Sequence, residues 1–253
     1  MLAVLLCFND GDILSESIEA LLESGHHVLV WDHGSTDNTS SVIQRYSKEL
    51  LSSYFLPRSL EFSNLYPTVS RTIIENYCSK YDWVSWPDAD EFLEGPDRSK
   101  PYVDFVYDVF QQGYTSLRFD NFIYWYTEQD DTSLTSSVGR VRYYCVFPDC
   151  APRIRAWRAS VTNERHYNHN TPPGREYPIR FRLRHYPARS KSQFEKRILV
   201  NRAGLPRNGD NHHYLALARN LNKSNLRTSQ LHFDNGVDDL HESITFDWRV
   251  LYR

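Results

Sequence analysis

Cysteine is scarce in this chain. The four residues Cys7, Cys78, Cys145 and Cys150 form no C-x-x-C pair, which excludes the common structural zinc patterns. They are also too few to make a disulfide scaffold of a chain of 253 residues. Reduced thiols are expected, and the only pairing considered is Cys145 with Cys150 across a loop. A basic excess is missing as well. The formal net charge is −3 with 10 His taken as neutral, which argues against a non-specific nucleic-acid binder. No apolar run approaches the roughly 20 residues that a membrane span requires. The opening Met-Leu-Ala-Val-Leu-Leu-Cys-Phe carries no basic stretch and is shorter than a secretory leader. The expectation is a cytoplasmic protein with no transmembrane segment, peripheral membrane contact being left open. Internal repeats and low-complexity segments are absent.

What is present is globular. Hydrophobic residues make up 40% and charged residues 24% of the chain, and a chain of this size buries a substantial core without staples. Aromatic residues reach 14%, with 17 Tyr and 6 Trp. They suit core packing and they suit stacking on sugar rings, and composition does not choose between the two. The pattern of apolar runs and turn residues predicts strands at 2–8, 27–32, 53–57 and 82–86. Helices are predicted between them: one capped by Asp12 and ended by Gly25, one from Asp37 to about Leu50, and one starting at Pro67. Such alternation spells βαβ units and a parallel sheet. Past residue 100 the pattern changes to a helix at 101–112 and strands at 116–126, 138–147, 153–158 and 179–185. Residues 153–158 alternate charged and apolar side chains, as an edge or half-exposed strand does. Helices are expected at 190–203 and 212–221. The organisation predicted is a single domain with a first half over 1–100, a second half over 101–206 and a C-terminal helical tail over 207–253.

Two segments carry the chemistry. Residues 32–39 read Asp-His-Gly-Ser-Thr-Asp-Asn-Thr. Asp32 falls at the carboxyl end of a buried strand, the edge where open α/β sheets bind ligands, and Gly34 frees the turn behind it. The second segment is Trp83-Val84-Ser85-Trp86-Pro87-Asp88-Ala89-Asp90-Glu91-Phe92. Carboxylates two residues apart on an extended segment point to one side, and clustered acids repel unless a cation sits among them. Hard oxygen ligands suit Mg²⁺ or Mn²⁺.

These segments resemble the family 2 glycosyltransferases and their GT-A relatives. The resemblance rests on Asp32-x-Gly34-Ser35-Thr36-Asp37-x-Thr39 and on the Asp88-x-Asp90 motif, at a spacing that suits the family. It covers residues 1–95 and thins out afterwards. It implies an α/β, GT-A (Rossmann-like) fold: a mostly parallel sheet flanked by helices, a smaller mixed or antiparallel acceptor-side region and C-terminal helices. It implies a metal-dependent, inverting transfer of a sugar from a nucleotide diphosphate donor (a UDP-, GDP- or dTDP-sugar) to a carbohydrate, lipid-linked or small-molecule acceptor. Asp32 then reads the donor's base with Gly34 and Ser35 beside it, and Asp88 and Asp90 hold Mn²⁺ or Mg²⁺ and the diphosphate. Asn64 and Arg71 resemble the Asn and Arg of the helix before the motif. Phe8-Asn9-Asp10 replaces the usual Pro-Thr-Tyr-Asn after the first strand. In His185-Tyr186-Pro187-Ala188-Arg189-Ser190-Lys191, a segment similar to one in some GT-A families, His185 is a further metal ligand candidate. Ser190 would cap a helix, and Arg189, Lys191 and Lys196 would face the leaving diphosphate.

A general base is not legible: the family's Glu-Asp base motif has no clear copy, and Glu91, Asp149, Glu164 and His166 are the candidates. His166 and His169 share a loop with no third ligand evident nearby. Two other readings are weighed. A sugar-phosphate nucleotidyltransferase wants a Gly-rich basic loop after the first strand, where this chain has Asn-Asp-Gly-Asp at 9–12. A GT-A domain that binds carbohydrate or a protein partner without turnover is opposed by the intact Asp88-x-Asp90.

Overall fold

The computed structural model describes residues 1–146, 153–162, 174–197 and 228–243. The chain divides into two compact units interleaved in sequence: Met1–Asn121 with Cys150–Arg184, and Phe122–Asp149 with His185–Arg253.

The first unit is an α/β sheet. Its strands are β1 (Leu2–Cys7), β2 (His27–Asp32), β3 (Ser52–Phe55), β4 (Trp83–Ser85), β5 (Glu91–Glu94), the start of β6 (Ser116–Trp125), and β8 (Arg153–Arg158); β7 (Tyr143–Val146) belongs to the second unit. The order is β6-β8-β4-β1-β2-β3. β1 pairs in parallel with β2 and β4, β2 pairs in parallel with β3, and β8 runs antiparallel to both β4 and β6. The α/β class expected from the sequence is therefore the class observed.

The apolar run of β1 is buried because both its faces are covered. Leu2 and Val4 pack with Val69 and Ile73 of α3 (Phe62–Asn76). Ala3, Leu5 and Cys7 pack with Leu14, Ile18 and Leu21 of α1 (Leu14–Glu23) and Val42 of α2 (Thr39–Arg45). A third cluster joins Val106 and Val109 of α4 (Tyr102–Gln111) to Trp83, Leu117 and Ala156.

Helix α1 ends as its sequence predicts. Gly25 has φ +76°, the Gly25 N–H donates to the Leu22 carbonyl and the His26 N–H to that of Leu21, which is the Schellman arrangement. Other boundaries move. α3 starts five residues before Pro67, so this proline sits inside the helix at the loss of one backbone bond. Neither Asp12 nor Asp37 is an N-cap, those positions being Ile13 and Asn38. Residues 138–147 are not one strand: α5 (Ser137–Arg140), capped by the Ser136 hydroxyl, precedes β7. β8, expected at an edge, lies between β4 and β6 with residues 154–157 buried. β5 went unpredicted because its acids looked like loop.

In the second unit β7 pairs antiparallel with the end of β6 and with β10 (His232–Phe233). Tyr124 stacks on Tyr186 of β9 (Phe181–Ala188) at 4.4 Å and donates to Asp234 Oδ2 at 2.6 Å. The α6 helix (Lys191–Lys196) is capped by Ser190, whose hydroxyl accepts from the Gln193 N–H. The Cys145 thiol donates to the Ile123 carbonyl. Cys150, the 212–221 helix and the end of the 190–203 helix lie outside the described residues. Among the described residues no helix is long and apolar enough to cross a membrane.

The buried His26 links α1 to β4. Its Nδ1 meets the Leu21 carbonyl and its Nε2 the Ser85 hydroxyl at 3.0 Å, which a neutral ring protonated on Nδ1 satisfies. Burial lowers its pKa from 6.5 to about 3. The unfolded chain therefore takes up this proton first, and the contribution is complete above pH 6.5 and is lost as pH falls toward about 3. Over that window a His26→Gln variant should lose stability with a slope shallower than wild type by up to about 1.4 kcal/mol per pH unit. Urea unfolding at a series of pH values measures it, and parallel slopes would contradict the assignment.

Candidate functional site

Strand register brings the two sequence motifs to one edge. Cys7 pairs with Asp32 across β1 and β2, and a parallel bridge pairs Leu6 with Asp88. The residues after β1, β2 and β4 thus emerge side by side at the carboxyl end of the parallel strands, the place where such sheets bind ligands.

The loops after β1 and β2 are tied by side chains that bond to backbone. Asp32 is 3% exposed; its Oδ1 accepts from the Ser35 N–H at 2.9 Å and its Oδ2 from the Ser40 hydroxyl at 3.1 Å. Asn9 Oδ1 accepts from the Thr36 N–H at 2.7 Å, and the Asn9 N–H donates to Ser35 Oγ at 2.9 Å. The Gly11 N–H donates to Asp37 Oδ2 at 3.2 Å. Asn9 has φ +56°, a conformation that asparagine tolerates better than most residues. Gly34 has φ +71°, and a Cβ there would lie 2.9 Å from the Arg58 nitrogen. Both features make this a fixed cradle rather than a generic turn.

Two neighbours had no sequence signal. The Arg58 guanidinium lies 3.9 Å from the Phe8 ring centroid and donates to Nδ1 of His33 at 3.2 Å. His33 Nε2–H donates to the Leu60 carbonyl at 3.1 Å. Burial lowers the His33 pKa, the Leu60 carbonyl opposes that and Arg58 adds to it. The ring is held neutral in one tautomer.

The acid motif is a turn rather than an extended segment. The Glu91 N–H donates to the Asp88 carbonyl at 3.0 Å, and the Asp88 N–H donates to Glu91 Oε2 at 2.9 Å. Asp88 and Asp90 consequently differ in exposure: the Asp88 side chain is 33% exposed, whereas Asp90 is 3% exposed. Two arginines of β8 balance the acids. Arg155 Nη2 reaches Asp88 Oδ2 at 2.8 Å and Glu91 Oε1 at 2.7 Å. Arg153 Nη1 reaches Glu91 Oε1 at 2.8 Å and stands 3.7 Å from Asp88 Oδ2. Burial alone would lower the Arg155 pKa, but Asp88 and Glu91 hold it raised. Glu91, a base candidate in the sequence, has a side chain with no exposure and both oxygens engaged, so it is a clamp with no oxygen open to an acceptor. Arg153-Ile154-Arg155 is visible in the sequence, but the alternation alone does not show where the partners of the two arginines lie.

Asn64 and Arg71 lie on the exposed side of α3. His185, Arg189, Ser190 and Lys196 belong to the second unit. Arg189 is not a solvent-facing cation: it is 1% exposed, its Nη1 donates to the Tyr186 carbonyl at 2.9 Å, and its own carbonyl accepts from Arg140. Lys196 is exposed on α6. Asp149, Glu164 and His166 lie outside the described residues, as does His169. Among the described residues no three His, Cys, Asp or Glu side chains converge as a metal cluster.

The α/β sheet thus carries a fixed loop pair and an acid turn at one carboxyl edge, where open α/β sheets bind ligands. The family described as glycosyl transferase family 2 matches residues 3–165, and the chain belongs to it. Its class is therefore that of the glycosyltransferases. No curated protein matches the chain. Among solved structures, S. aureus TarS is similar at 12% identity over 90% of this chain and 44% of that one, with a TM-score of 0.39. TarS 1-349 in complex with UDP is similar at 11% identity over 87% and 70%, with a TM-score of 0.40. HddC from Yersinia pseudotuberculosis is similar at 7% identity over 72% and 92%, with a TM-score of 0.38. The chain spans less than half the length of the TarS structure.

The cradle makes an ordered prediction. Asn9→Gly removes an acceptor for the Thr36 N–H but relieves the backbone, and should destabilise by about 1 kcal/mol. Asn9→Ala loses the acceptor and keeps the unfavourable φ, and should cost about 1 kcal/mol more. Denaturant midpoints in the order wild type, Gly, Ala test this; an Ala variant as stable as Gly would contradict it.

Proposed function

We propose that the chain transfers a sugar from a nucleoside diphosphate donor to an acceptor hydroxyl, with the donor seated in the first unit at the edge formed by the ends of β1, β2 and β4. The observation that carries this reading is the pair of register contacts, Cys7 with Asp32 and Leu6 with Asp88. They set the fixed loop pair beside the acid turn, as a base and a diphosphate require.

The residues present fit a divalent cation, Mn²⁺ or Mg²⁺. Asp88 is a hard oxygen donor that is partly exposed and held in place through Oδ2, and Asp90 adds charge within the same turn. A single exposed carboxylate is enough, because Mg²⁺ commonly takes one or two carboxylates with the rest of its shell from phosphate and water. When bound, such an ion would supply electrostatic stabilisation of the leaving diphosphate. The chain's own groups do the rest. Asp32 has acceptor capacity beyond its two internal bonds and lies where the family resemblance places the donor's base. The Arg58 and Phe8 pair offers a flat cationic surface next to it. Inversion requires a base for the acceptor proton, and Asp149, Glu164 and His166 remain the candidates for it.

The test is a thermal-shift titration with UDP, GDP and dTDP, each with and without Mn²⁺. Saturation at about 100 times Kd should stabilise the native state by about 2.7 kcal/mol. One nucleotide should raise the midpoint, and more so with Mn²⁺. In Asp88→Asn the Mn²⁺-dependent part should vanish, while circular dichroism stays that of wild type and nucleotide release from the matching sugar donor falls at least 100-fold. No shift with any of the three, in protein that is folded, would sink the reading.

A further inference from the structure

The pairing of β6 with β8 contains an irregularity at the site. Leu117 faces Ala156 and Arg118 faces Ile154, so Arg155 is the extra residue of a β-bulge. Bulges break the strict alternation of a strand and redirect a side chain, and they concentrate beside functional sites. Here the alternation is broken in the packing as well: Ile154 and Trp157 belong to one core cluster, while Ala156 belongs to another. The bulged residue is pinned by its backbone too. Its carbonyl accepts from the Trp86 N–H at 2.7 Å, and its Nη1 lies 3.4 Å from the Trp86 carbonyl. Its side chain has no exposure and ends between Asp88 and Glu91.

An arginine needed only to neutralise a buried acid would be satisfied by Glu91. Arg155 also holds the one carboxylate of the turn that is partly exposed. Glu91 in turn holds the Asp88 backbone N–H, so the two residues fix both the main chain and the carboxylate of Asp88.

We propose that Arg155 is the positioning residue of the acid turn: from a bulge in β8, and with Glu91 as its anchor, it orients the Asp88 carboxylate for a divalent cation that binds together with the donor diphosphate. This deepens the donor-site reading and rests on it. A carboxylate free to rotate gives up part of its affinity each time it binds, and a carboxylate already fixed does not. Residues that orient a ligating group from behind commonly change metal affinity 10- to 100-fold when removed.

The experiment measures Mn²⁺ binding by electron paramagnetic resonance, in the presence of UDP and then of GDP, on wild type, Arg155→Lys and the double variant Arg155→Met/Glu91→Gln. The lysine keeps the charge but cannot bridge both acids in the same geometry. The double variant removes both buried charges together, which avoids stranding either one. In each folded variant the Mn²⁺ affinity in the presence of nucleotide should fall at least 10-fold, while nucleotide binding without metal stays within about 2-fold of wild type. A purely structural Arg155 would lower the unfolding midpoint and leave the Mn²⁺ affinity of the folded fraction unchanged. That result in either variant overturns the proposal. Wild type that binds no Mn²⁺ with either nucleotide overturns the donor-site reading and this proposal with it; wild type that binds, with unchanged variants, overturns only the proposal made here.

Discussion

A guanidinium with no access to water, that of Arg155, sits against two carboxylates of the acid turn. Burying such a charge is costly, and mutual attraction repays that cost only when the geometry is good and the remaining hydrogen-bonding capacity is used. The attraction in this turn is shared among several groups. Glu91 receives Arg155 and Arg153 on one oxygen and the Asp88 N–H on the other. Removing one member alone leaves an uncompensated charge in the core, a change typically worth about 3–5 kcal/mol. The order of the acid turn and the hold on the Asp88 carboxylate rest on that arrangement.

The opposite half of the edge is held by weaker bonds in greater number. Between the loops after β1 and β2, acceptors on Asn9, Asp32, Ser35 and Asp37 take up backbone N–H groups that no strand or helix satisfies. Each such bond contributes on the order of 1 kcal/mol. Their joint effect is to settle the loop conformation before any ligand arrives, so that less ordering is left to be done on binding.

How much of this was legible in the sequence varies with the kind of force involved. β1, β2 and the helices between β-strands were readable because continuous apolar runs and helical periodicity report burial of carbon. Gly25 was readable because a positive φ after a helix nearly demands glycine. The place of Asp32 and Asp88 at the ends of strands was legible because strand ends and clustered acids are visible in a string of letters. β8 is harder to place because Arg155 is buried against ion-pair partners, and a periodicity of charged residues gives no sign of where such partners are. Pro67 misled for a related reason: the rule that places proline at a helix start describes where it is tolerated most easily, and α3 tolerates it further in. Arg58 and His33 carry no motif, since what joins them is the proximity of the chain after β2 to the chain after β3.

The interleaving of the two units bears on how the polypeptide is made. The turn at 88–91 leaves the ribosome well ahead of its counter-charges, because β8 begins only at Arg153 and the intervening chain builds part of the other unit. During that interval Asp88, Asp90 and Glu91 repel one another, and β4 lacks its neighbour on the β8 side. Long-range pairing of this sort slows folding, because the loop must close before its contacts form. The parallel strands β1 to β3 can associate early, while the acid turn can settle only once Arg155 has been synthesised.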